Sequence, residues 1–163
     1  MRLAVLSIAL ATSGFAGAAP AQTVALRGPE GQSRTVTLAD LSAMPHEVLT
    51  LAGEHGLGKR YEGVPLTLLL QSVGAPAGKA LHGPALADLF VVGASDGYRV
   101  VLALAETDPG VRPEKILLAD RADGGPLPAT EGPFRLVVEG DLRPTRSARM
   151  VTSIRVEVAP PGN

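Results

Sequence analysis

The chain has 163 residues, a formal net charge of −1, no Cys and no Trp, and only 3% aromatic residues. That length suits one domain with its own core, and the near-balanced charge shows no basic run of the kind a nucleic-acid binder carries. Without Cys no disulfide forms, so aliphatic packing must hold the fold, and 19 Gly with 14 Pro favour short strands and many turns over long helices.

Residues 1–21, MRLAVLSIALATSGFAGAAPA, read as a cleaved secretory signal. Arg2 is the single positive charge, an apolar run follows from Leu3 to Leu10, and Ala19-Pro20-Ala21 fits an A-x-A cleavage site. The apolar run is too short to span a bilayer, which needs about 20 residues. The expectation is a periplasmic protein, cut near Ala21/Gln22, with residues 22–163 forming one domain.

Thr23 to Arg27 and Arg34 to Leu38 read as two short strands around a Gly-Pro turn. Thr37 and Asp40 carry the cap and first-turn acid of a short helix, which Pro45 ends. Glu47 to Ala52 reads as a strand and Gly53 to Glu62 as a loop. Val64 to Gly74 is the clearest helix, with Pro65 in its first turn and Gly74 at its C-terminal cap. After a Pro/Ala/Gly-rich loop over 75–88, Leu89 to Val92 and Tyr98 to Leu102 read as strands joined by a turn at Asp96-Gly97. Ala103 to Asp108 is at most a short helix, stopped by Pro109. Ile116 to Ala119, Phe134 to Val138 and Ser153 to Val158 are further strands. The last alternates, with Ile154, Val156 and Val158 on one face and Arg155 and Glu157 on the other. The class is α+β, with mixed sheets of short strands and two or three short helices.

Two motifs imitate well-known sites. GEHGLGKR, residues 53–60, approaches a P-loop, but the hydroxyl residue that follows the Lys in that motif is replaced by Arg60, and Tyr61 to Pro65 cannot continue a helix. It reads better as a turn in which Glu54, His55 and Arg60 line a cleft. GASDG, residues 93–97, matches a nucleophile elbow. However, all three histidines precede Ser95 and a strand follows, so a hairpin fits better. The histidines, at 46, 55 and 82, have no metal-site spacing and read as surface residues. Arg135, and then Arg143, Arg146 and Arg149, form a cationic cluster before the final strand, suited to an anion or a planar ring.

The order of YEGVPLTLLLQSVG, SDGYRVVLALAE, ILLADRADGGPLPATEGPFRLVV and TRSARMVTSIRVEV resembles the molybdopterin-binding domain of the sulfite oxidase family. TLADLSAMP is similar to an early helix of that family. The resemblance runs from about Thr35 to Val158 and implies the sulfite-oxidase-type molybdopterin-binding fold. The family's enzymes hold molybdenum through a Cys thiolate, and Leu51 stands roughly where that residue falls. An aliphatic side chain cannot replace a soft thiolate. The chain most resembles short, exported, Cys-less members that act as periplasmic sensors of reduced pterins. Those members signal to a membrane-bound enzyme that makes or degrades cyclic di-GMP.

The resemblance thus implies a reduced pterin as ligand, no molybdenum, and such an enzyme as partner. Asp96 or Glu54 would accept the paired amino and ring N–H groups of a pterin. Tyr61, Tyr98 or an Arg would stack on the ring, and Arg135, Arg146 and Arg149 would face its oxygen-rich edge or side chain. His55 would line the same cleft. A molybdopterin-dependent oxidoreductase or subunit, and an interaction domain without ligand, are the alternatives.

Overall fold

A computed structural model describes residues 22–51 and 58–160. Among the described residues, ten strands form two five-stranded sheets. The strands are β1 (Thr23–Arg27), β2 (Ser33–Thr37), β3 (Glu47–Leu51), β4 (Lys59–Pro65), β5 (Leu89–Ala94), β6 (Arg99–Ala103), β7 (Ile116–Ala122), β8 (Gly125–Pro126), β9 (Arg135–Val138) and β10 (Val151–Glu157). The first sheet has the order β2-β1-β10-β5-β6. The second has the order β3-β4-β7-β8, with β9 also paired to β7. All the pairings are antiparallel except that of β1 with β10.

Two short helices accompany the sheets. The first, α1 (Leu38–Ser42), starts as its sequence predicts. The Thr37 hydroxyl accepts from the Asp40 N–H, and the Asp40 carboxylate accepts from the Thr37 N–H, closing a capping box. The second, α2 (Leu66–Gln71), is shorter than the reading of Val64 to Gly74, because Val64 and Pro65 remain in β4, paired with Leu118 and Leu117. Its C-terminal signal holds. Gly74 takes φ +86°, its N–H donates to the Gln71 carbonyl, and the Ala75 N–H donates to that of Leu70. The segments over 75–88 and 103–108 each contain single turns of 3₁₀-helix.

The main core lies between the sheets. Leu26, Phe90, Val92 and Ile154 from the first sheet meet Val64, Leu118, Leu136 and Val138 from the second, with Leu66, Leu69 and Leu70 of α2 among them. Phe90 and Phe134 are fully buried, and each contributes about 1.5–3 kcal/mol by leaving water. Val158 does not continue the alternation of Ile154 and Val156. It lies past the end of β10 and is exposed.

The second sheet is buried on its outer face too. There Leu49, Tyr61, Leu117, Ala119, Ala122 and Val137 form a smaller cluster. Alternation places Leu117 and Ala119 outward and Ile116 and Leu118 inward. A β-bulge then breaks the alternation: Gly63 pairs with Ala119 but Glu62 pairs with Arg121, so Asp120 has no partner on β4. The bulge keeps Ala122 and Tyr61 on the outer face. The stretch Lys59 to Glu62 thus belongs to a paired strand, a correction to its reading as loop.

Candidate functional site

The outer face of the second sheet carries a polar cluster set into apolar surroundings. Arg135 begins β9 and is 5% exposed. Its Nη1 lies 2.6 Å from Glu131 Oε2 and donates to the Tyr61 phenol oxygen at 2.7 Å. Tyr61 in turn donates to Glu131 at 3.2 Å, and Lys59 Nζ donates to the other Glu131 oxygen at 2.9 Å. The Tyr61 ring has the Arg135 guanidinium 5.0 Å and the Lys59 ammonium 5.5 Å from its centroid. Arg135 Nε is buried and has no hydrogen-bond partner among the described residues.

These surroundings set the protonation of the cluster. Burial pushes the Tyr61 phenol up to about 12; Arg135 opposes this, the Glu131 carboxylate adds to it, and Arg149 opposes it. Burial alone would raise Glu131, but hydrogen bonds from Lys59 and Arg135 overcome it and hold the carboxyl below its ordinary value. The cluster is a neutral phenol, one carboxylate and two cations.

Next to it lies a cavity of about 260 Å³ lined by Asp96, Tyr98, Thr145, Ser147 and Arg149. The β5–β6 hairpin supplies Asp96 and Tyr98. The turn closes with the Ala94 N–H on the Tyr98 carbonyl, and Gly97 adopts φ +85°. Ser95 therefore sits in a hairpin and not at a strand-to-helix elbow. Asp96 Oδ1 accepts the Tyr98 N–H at 2.9 Å, and the Tyr98 hydroxyl donates to the Thr145 carbonyl at 2.8 Å. Tyr98 is 47% exposed. Arg149 is exposed and forms no ion pair among the described residues. The next residue, Met150, takes φ +50°, a conformation uncommon outside glycine, and its backbone N–H donates to the Glu131 carbonyl.

The sequence-predicted residues thus divide. Asp96, Tyr98 and Arg149 share the cavity. Tyr61 and Arg135 form the buried cluster beside it, and the charge of Arg149 reaches Tyr61. Arg146 is occupied elsewhere, 2.5 Å from Asp141 and 3.1 Å from Glu106. Glu54 and His55 lie outside the described residues. Glu131 and Lys59 escaped sequence reasoning. Glu131 sits in a turn-rich loop without periodicity, and its spacing to Arg135 is the only local signal. His46 is less of a surface residue than expected. Its Nε2 lies 3.1 Å from the buried Asp120, its Nδ1 lies 2.8 Å from the Met44 carbonyl, and Ser42 donates to Asp120 at 3.3 Å. No group of three or more His, Asp or Glu side chains among the described residues is arranged to hold a metal ion.

Curated proteins give no match. Among solved structures, the chain is similar to the sulfane dehydrogenase SoxCD from Paracoccus pantotrophus, with a TM-score of 0.63 at 20% sequence identity, over 84% of this chain. It spans only 38% of that chain's length, and at this identity the likeness establishes the fold alone. The family model of the oxidoreductase molybdopterin binding domain matches residues 19–163. With that match and the shared fold, the chain belongs to the oxidoreductase molybdopterin-binding domain family.

Proposed function

We propose that the chain is a pterin-binding module without redox catalysis of its own. The observation that carries this reading is the meeting of Asp96, Tyr98 and Arg149 in one cavity. A carboxylate, an open aromatic face and a cation without an ion pair match the three parts of a pterin: its amino and ring N–H edge, its flat ring, and its oxygen-bearing edge. Asp96 Oδ1 already accepts a backbone N–H, which fixes the carboxylate and leaves its second oxygen for ligand.

The family's cofactor joins a pterin to molybdenum, and the residues fit the two parts unequally. The pterin finds hydrogen-bonding and stacking groups. The metal finds no protein thiolate, since the sequence has no Cys and Leu51 stands where the resemblance puts one. Membership of an oxidoreductase family favours a second reading, in which the chain is a subunit of a molybdopterin-dependent enzyme. The leader-like residues 1–21 support export to the periplasm, and the resemblance to pterin sensors supports a membrane-bound cyclic-di-GMP enzyme as partner.

Anaerobic titration with a tetrahydropterin, followed by pterin fluorescence after oxidation, tests the main reading. Wild type should bind, and Asp96→Ala and Arg149→Ala should each weaken binding at least tenfold while leaving thermal stability nearly unchanged. Molybdenum near one atom per purified chain would favour the oxidoreductase reading instead. No pterin binding and no metal would leave an interaction domain.

A further inference from the structure

The outward face of the first sheet forms a trough of about 490 Å³, far from neutral in charge. Arg27 on β1, Arg155 on β10 and Arg99 on β6 line it, and no carboxylate does. Only Arg155 has an ion pair among the described residues, with Glu157. The floor between the arginines is Ala25, Ser153 and Gly93, in register across three neighbouring strands, so the arginines stand over open backbone. Val101, 54% exposed, borders the same face.

The placement is unfavourable for the chain alone. Arg27 and Arg155 are directly abreast on adjacent parallel strands. Like charges in that position repel and destabilise a sheet, and Glu157 offsets only the Arg155 charge, leaving Arg27 without a carboxylate among the described residues. The repulsion is relieved when an anionic group lies between them. Arg99 stands three strands from Arg27, a step of roughly 14 Å at about 4.8 Å per strand.

We propose that this trough docks an acidic, extended segment of a partner protein. In an extended chain about 3.3 Å long per residue, acidic groups roughly four residues apart would reach Arg99 at one end and the Arg27–Arg155 pair at the other. Charge complementarity selects the occupant's sign, and the shallow floor of small side chains admits a backbone laid across the strands. No aromatic residue lines the trough, so it offers bases no stacking platform of the kind single-stranded nucleic-acid grooves use. This surface is separate from the pterin cavity and does not depend on it.

The test uses fluorescent peptides, the full mature chain and fluorescence anisotropy at low and high salt. The probe peptide carries two pairs of Glu whose centres lie about four residues apart, with Gly and Ser between them, and the control carries all its Glu in one block. The probe should bind wild type more tightly than the control, with affinity falling as salt rises. The double substitution Arg27→Ser and Arg99→Ser should weaken probe binding at least tenfold. Its thermal midpoint should be no lower than that of wild type, which separates lost docking from lost folding. The proposal is overturned if wild type does not bind the probe, or if the double variant binds it equally well. It is also overturned if an oligo-dT strand or an anionic lipid vesicle outcompetes the probe. Self-association of wild type abolished by the double variant would assign the face to a second copy and overturn it as well.

Discussion

Arg135 meets Tyr61 in two ways: Nη1 donates to the phenol oxygen at 2.7 Å, and the guanidinium carbon lies 5.0 Å from the ring centroid. The two residues are 74 positions apart in the chain and meet because both β4 and β9 pair with β7. Glu131 completes a triangle with them.

Arg135→Met should therefore cost more than its volume suggests. It leaves Glu131 with Lys59 as its one cation among the described residues and the Tyr61 oxygen without its donor. Removing one partner of a buried pair costs about 3–5 kcal/mol, and the slight exposure of Glu131 places this variant near the low end. Urea unfolding should show a lower midpoint with an unchanged slope. Arg135→Lys keeps the charge but not the planar fork, and should recover only part of the loss.

Tyr61 should titrate late. In a Tyr98→Phe variant it is the only tyrosine left, and the ultraviolet absorbance of its phenolate should rise near pH 12. The raised value means that folding favours the neutral phenol. That contribution is fully present below pH 10 and is lost as pH climbs through about 12. Tyr61→Phe should flatten stability across this alkaline window. A phenolate signal complete by pH 10 would contradict the buried placement.

Glu131 works in the opposite direction, because its carboxyl is held below the usual 4.5. Its contribution is present above that value and disappears as pH falls through the lowered one. Lys59→Met removes one of the two hydrogen bonds responsible. The stability gap between wild type and this variant, roughly 0.5–1 kcal/mol for a pair with one half-exposed member, should be full at neutral pH and close in acid. Denaturation at a series of pH values reads it directly.

Gly63 should tolerate no side chain. A Cβ there would lie 2.4 Å from the Leu118 carbonyl oxygen and 2.5 Å from the Ala119 Cα, both backbone atoms of the neighbouring strand. Gly63→Ala must push β4 away from β7, at a cost of about 1–3 kcal/mol or more. Because Tyr61 lies two residues away on the same strand, its fluorescence should change along with the unfolding midpoint.

Local signals in the sequence reached the local features. Thr37 and Asp40 announced the start of their helix, Gly74 a helix end, and Asp96-Gly97 a hairpin. Their physics is contained within about five residues. The resemblance supplied the fold and, with it, the residues that now share a cavity, Asp96, Tyr98 and Arg149. What stayed hidden needed long-range pairing. Lys59 passed for loop because its partner, Leu51 on β3, gives no local signal, and β7, which pairs with the rest of β4 from Tyr61 on, begins more than fifty residues later. Pro65 passed for a helix residue because proline at a strand end and proline at a helix start look alike in sequence. The pairing of Arg27 with Arg155 was invisible because it requires the first and last strands to lie parallel.

The unpaired position at Asp120 decides where this chain can change length. Deleting Asp120 would leave Tyr61 opposite Ala122 and Glu62 opposite Arg121, each on its present face, since only the unmatched residue is lost. The loss would fall on His46 and Ser42, which Asp120 now holds. One residue added or removed between Ile116 and Ala119 would be far worse, because it would exchange Leu117 with Leu118 and turn the inner core outward. Homologues that differ in length along this strand should therefore differ at Asp120, and lose the histidine contact with it.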